Sequence, residues 1–143
     1  MSISHNRYQA QRWMATALED MQAVRALIAS GLYAQACFYA QQAAEKSLKA
    51  IWFAQDADPW GHSNSRLLMD FSARGQIIGY DNLMQQARLL DQFYVPTRYP
   101  DGLPDLTPGQ VYGVEDATRA LNAAGVITDF CQQWLSSGLS RDE

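Results

Sequence analysis

Tyr33-Ala34-Gln35-Ala36-Cys37-Phe38-Tyr39-Ala40-Gln41-Gln42-Ala43-Ala44-Glu45-Lys46-Ser47-Leu48-Lys49-Ala50 is the stretch that decides the fold class. Tyr33, Cys37, Ala40, Ala44, Leu48 and the following Ile51 recur at spacings of three and four, the period of one helix face. No proline precedes Pro59, and Gly31 is the only glycine before it. A helix from about Leu32 to Gln55 therefore has nothing to break it. Gln42, Glu45, Lys46 and Lys49 form a polar stripe on this otherwise apolar segment, and Lys46 and Lys49 are the only lysines in the chain. Glu45 precedes Lys49 by four residues, the favourable order for an ion pair. As structure, the stripe reads as a solvated helix face worth a few tenths of a kcal/mol. As function, it reads as a local pair of cations.

Toward the N-terminus, Trp13, Ala17, Met21, Val24 and Ile28 repeat the same spacing. Ser30-Gly31 ends that helix with a left-handed cap, and the short turn makes the two helices antiparallel neighbours. Toward the C-terminus, Asp58-Pro59-Trp60-Gly61 breaks the pattern. Ser63 is a cap for a short helix through Leu67, Leu68 and Phe71. Asp81 is expected to cap a fourth helix carrying Leu83, Ala87, Leu90 and Tyr94. Residues 95–113 hold four of the five prolines and read as a structured loop. Val114, Ala117, Leu121, Ala124, Thr128, Cys131 and Leu135 form the seam of a last helix. Its first turn carries Glu115 and Asp116, where the dipole favours acids. The reading is all-α: an up-and-down bundle of four long helices plus one short helix, in a single domain over 1–143 with 1–6 and 138–143 frayed.

With 143 residues and 48% hydrophobic content, such a domain buries a core without metal or disulfide staples. The net charge of −4 argues against a broad nucleic-acid footprint, though not against a small anion site. Cys37 and Cys131 fall in apolar helical patterns and read as buried thiols rather than a disulfide. Met1 to Arg12 is polar and does not read as a signal peptide. No apolar run approaches the roughly 18 residues of a membrane span. A cytoplasmic protein is expected.

Two further features bear on chemistry. His62 follows the second helix in the loop His62-Ser63, where a lone histidine is commonly a hydrogen-bonded structural residue. In Tyr94-Val95-Pro96-Thr97-Arg98-Tyr99-Pro100-Asp101, Pro96 and Pro100 stiffen both sides of Arg98. The guanidinium fork suits a carboxylate or a phosphate. It either contacts a ligand or pins the loop through Asp101, Asp91 or Glu45. Phosphate-cradling glycine loops and metal-ligand spacings are missing, and His62 beside Ser63 does not make a triad.

In order and spacing across about Arg7 to Cys131, the helix over 33–50, His62-Ser63, Leu90-Asp91, Tyr94 and the Arg98-Tyr99-Pro100-Asp101 turn resemble a HEPN domain (higher eukaryotes and prokaryotes nucleotide-binding). The resemblance implies a helical bundle that commonly forms a homodimer and associates with nucleotides or RNA. It also implies partnership, in some members, with a minimal nucleotidyltransferase in toxin–antitoxin-like pairs. Many members are metal-independent RNases using an Arg, four to six residues, then His. Here positions 55–57 before His62 are Gln55, Asp56 and Ala57, and positions 103–105 after Arg98 are Leu103, Pro104 and Asp105. That motif is absent, so no catalytic residue is carried over.

What the resemblance does carry over is a shared cleft of Gln42, Glu45, Lys46, Lys49, His62, Tyr94, Arg98 and Tyr99. Phosphate would suit its cations, and Tyr99 or Trp60 could stack on a base. The expected function is a non-catalytic nucleotide- or phosphate-binding module. It needs no cofactor or metal, takes ATP or GTP as its kind of ligand, and acts as a homodimer. The alternatives are an interaction scaffold with no ligand of its own and an atypical RNase using His62 and Arg98. Trp13, Met14 and Trp134 are candidates for a dimer face.

Overall fold

The computed structural model describes residues 3–73, 75–94, 99–103 and 105–141, without the side chains of 3, 4, 102 and 138–141. Six α-helices are described: α1 (Ile3–Ala29), α2 (Tyr33–Ala54), α3 (Asn64–Ser72), α4 (Tyr80–Asp91), α5 (Pro108–Val111) and α6 (Val114–Arg141). No strand occurs among the described residues. The bundle is as expected, with two refinements. The proline-rich segment adds a 3₁₀ turn (Pro100–Gly102) and the four-residue α5.

α1 ends in a Schellman motif. Gly31 has φ +75°, the Leu32 amide donates to Leu27 O at 2.9 Å, and the Gly31 amide donates to Ile28 O at 3.0 Å. This reversal lays α2 antiparallel on α1. α2 is the central helix, with α1 and α6 as its two principal neighbours and α3 and α4 packed across it. Its alanines at 34, 36, 40, 43, 44 and 50 are fully buried, because only small side chains let several backbones approach one helix closely. The larger seam residues interleave from every side: Met21 and Val24, Leu48 and Ile51, Leu68, Leu90, and Ile127.

Two details differ from expectation. Gly79, at φ +77°, stands at the start of α4, and Asp81 lies in its first turn instead of capping it. Met14 is buried in the core, Trp13 packs on Phe53 at 5.3 Å, and Trp134 meets Phe71 edge-on at 5.3 Å. Met14 is therefore unavailable to a dimer face, and the two tryptophans already spend much of their surface inside the subunit.

Cys37 and Cys131 are free and buried. Burial, with the Asp116 charge adding at Cys37, pushes each thiol up from 9.0 to about 12. A raised thiol pKa stabilises the fold below the unfolded value, and that contribution is lost as pH climbs toward the folded value. Urea midpoints are expected to fall progressively between pH 9 and 12. A disulfide-exchange reagent should label neither thiol at about pH 8 until the chain unfolds.

Candidate functional site

In the polar stripe on α2, Glu45 and Lys49 are buried rather than solvated, and Gln42 and Lys46 are half-buried. Glu45 is 4% exposed and Lys49 8%. The reason is topological: after α2 the chain turns back, and His62 to Ser65 crosses over the stripe. The Gln41 amide Nε2 donates to His62 O at 2.9 Å, Asn64 Nδ2 donates to Gln41 O at 3.2 Å, and the Trp52 indole donates to Leu67 O at 3.2 Å. These bonds fasten α3 along α2.

Glu45 is the centre of the cluster. Lys49 Nζ stands 3.0 Å from its Oε2, and His62 Nδ1 lies 3.3 Å from Oε1. The Gln41 and Gln42 amides donate to Oε1 at 3.2 and 3.4 Å. An ionised carboxylate only accepts, so Nδ1 of His62 carries the proton toward it and Nε2 is presented outward. The His62 side chain is 59% exposed, and its ring stacks on Tyr94 with centroids 4.9 Å apart and planes 14° from parallel. Tyr94 in turn leans on Phe38 at 6.2 Å. The Lys49 ammonium also lies over the Trp13 ring at 5.8 Å, within cation–π range.

The α3 N-terminus beneath His62 is capped from another helix. Asp91, at the end of α4, accepts from the Asn64 amide at 2.6 Å, the Ser65 amide at 3.1 Å, Ser63 Oγ at 3.0 Å and Ser65 Oγ at 2.5 Å. Ser63 Oγ also accepts from the Arg66 amide at 3.1 Å, the expected cap. A helix N-terminus attracts anions, and here a protein carboxylate already fills that role.

Five of the eight candidate residues thus come together: Gln42, Glu45, Lys49, His62 and Tyr94. Lys46 is not in this cluster. Its Nζ pairs with Asp20 of α1 at 2.7 Å and lines a separate hollow of about 250 Å³ with Arg12, Trp13 and Thr16. The two lysines thus take different partners, and each is matched by a carboxylate. Tyr99 stands at the start of the 3₁₀ turn, 48% exposed. Arg98 lies outside the described residues. Gln41 and Asn64, which hold the crossing segment, escaped the sequence reading. So did the capping role of Asp91, which is 26 to 28 residues away from the groups it holds. No local sequence signal links groups so far apart.

No group of three or more metal-ligating side chains occurs among the described residues, and no described helix is long and apolar enough to cross a membrane.

The family model of the HEPN domain matches residues 10–134. Among solved structures, the TT1696 protein of Thermus thermophilus is 35% identical, with a TM-score of 0.82 over 87% of this chain and 97% of that one. ST0689, described as an archaeal HEPN homologue, is 30% identical, with a TM-score of 0.74 over 89% and 98%. A HEPN domain protein from Thermotoga maritima is 34% identical, with a TM-score of 0.69 over 87% and 98%. No protein with a curated description matches the chain.

Proposed function

The chain belongs to the HEPN domain family, and we propose that it is a non-catalytic nucleotide- or phosphate-binding module. It works as a homodimer beside a partner of the minimal nucleotidyltransferase kind, in a toxin–antitoxin-like pair. The observation that carries this reading is the outward-facing His62 imidazole, held from behind by Glu45 and from the side by Tyr94. An imidazole that carries its proton on Nδ1 presents Nε2 as a directed acceptor for a ribose hydroxyl. Tyr94 immediately precedes the segment that carries Arg98, whose guanidinium supplies the positive charge. Lys49 belongs to the frame of the site rather than to its ligand face, because its charge is matched inside the protein by Glu45.

The test is a calorimetric titration with ATP, GTP and a short RNA. His62→Ala and Arg98→Ala should each weaken binding at least tenfold. Lys46→Met, at a side chain paired with Asp20 outside the cluster, should leave it within twofold. An absence of binding at millimolar ligand would contradict the proposal.

A second reading, an interaction subunit with no ligand of its own, is favoured by the matching of both lysines with carboxylates. In that case Arg98→Ala would lower stability or dimer formation, and no ligand would raise the melting temperature of the wild type.

A further inference from the structure

Beside this cluster lies a second hollow, of about 270 Å³, between the end of α2 and the start of α3. Its lining residues include Trp52, Trp60, Asp58, Asp70, Arg66 and His62. Three observations single it out. Trp60 is 86% exposed, although an indole left in water forgoes the burial that stabilises aromatic side chains. The loop that carries it is constrained, with Pro59 before it and Gly61 after it at φ +90°, where a side chain would be strained. The charge is also unbalanced. Arg66 Nε is matched by Asp70 at 3.0 Å, whereas Asp58 has no ion-pair partner among the described residues.

We propose that this hollow receives an arginine side chain from a protein partner. A planar guanidinium stacks on an indole face while its edge donates to a carboxylate. Trp60 supplies the face and Asp58 the acceptor. With His62 uncharged, the charged lining groups Asp58, Asp70 and Arg66 leave a net negative charge, on a protein of net charge −4. A basic segment is therefore attracted to the hollow. The Arg66–Asp70 pair is itself exposed, at 71% and 44% for the two side chains. Such pairs are weak, so Asp70 can turn to an incoming cation. This inference goes beyond the nucleotide reading, and the two share His62, which also lines this hollow.

The experiment follows the Trp60 indole N–H resonance, assigned with Trp60→Phe, during titration of the full chain with acetyl-Gly-Arg-Gly-amide. The neutral citrulline analogue and adenosine monophosphate serve as comparisons. The arginine peptide should shift the resonance saturably, and the citrulline analogue should bind at least tenfold more weakly. Asp58→Asn should weaken arginine binding at least fivefold, and Arg66→Gln, which removes a competing cation, should strengthen it. Both substitutions fall at the rim of the hollow, outside the hydrophobic core, so the fold is retained. Equal binding of citrulline, a response to the nucleotide alone, or no saturable shift at about 20 mM peptide would each overturn the proposal.

Discussion

Glu45→Gln is expected to lower the unfolding free energy by about 3 kcal/mol, because removing one member of a buried ion pair strands the other. The amide would still accept from Gln41 and Gln42, so the loss isolates the charge. Lys49, 8% exposed, would lose the carboxylate at 3.0 Å and face an amide instead. The double variant Glu45→Gln/Lys49→Met should recover most of the loss, since a neutral pair of similar shape replaces a buried ion pair at little cost. Urea unfolding of the four proteins gives the coupling directly, expected at about 2 kcal/mol. Additive losses would mean that the ammonium reaches water and that Glu45 is not its anchor.

Asp91→Ala should be nearly as damaging, at about 3 kcal/mol, or a fall in melting temperature of roughly 10 °C. Asp91 accepts four hydrogen bonds at one helix start, two of them from backbone amides. Its charge also opposes the positive end of α3. Removing it frees the turn that places His62 over Glu45. The expected signature is local as well as global: exchange of the Asn64 and Ser65 amides accelerates well before the rest of the bundle opens. Asp91→Asn, which keeps an acceptor oxygen, should lose less. A global loss without early exchange at those two amides would show that Asp91 does not hold the α3 start.

The bundle was legible in the sequence because its signals are periodic and local. The seam of α6 from Ala117 onward and the apolar line of α2 follow from spacing alone, although Val114, expected in that seam, is 50% exposed, and Gly31 and Ser63 punctuate the chain as turn chemistry requires. The capping of α4 was misjudged by two residues, because Gly79 reaches the left-handed region without a side-chain signal. The site was only half legible. Glu45 and Lys49 are visible as an i, i+4 pair, yet the pattern also fits an exposed helix face. What buries them is a tertiary event, the return of residues 62–65 across α2, together with an alanine-rich helix that allows neighbours on all sides. Asp20 and Lys46 sit 26 residues apart, and no periodicity announces such a pair. The two lysines look like one cationic feature in the sequence and stand only about 60° apart around the helix, yet each long side chain is taken by a different carboxylate.

The proposed site and its framework both rest on His62 being held at Nδ1 by the buried Glu45 carboxylate. Long-range proton–nitrogen correlation spectra of the imidazole, recorded on the wild-type protein where the ring is uncharged, read this directly. The geometry predicts a protonated Nδ1 and a bare, outward-facing Nε2. A proton on Nε2, or rapid averaging between the two nitrogens, would contradict it.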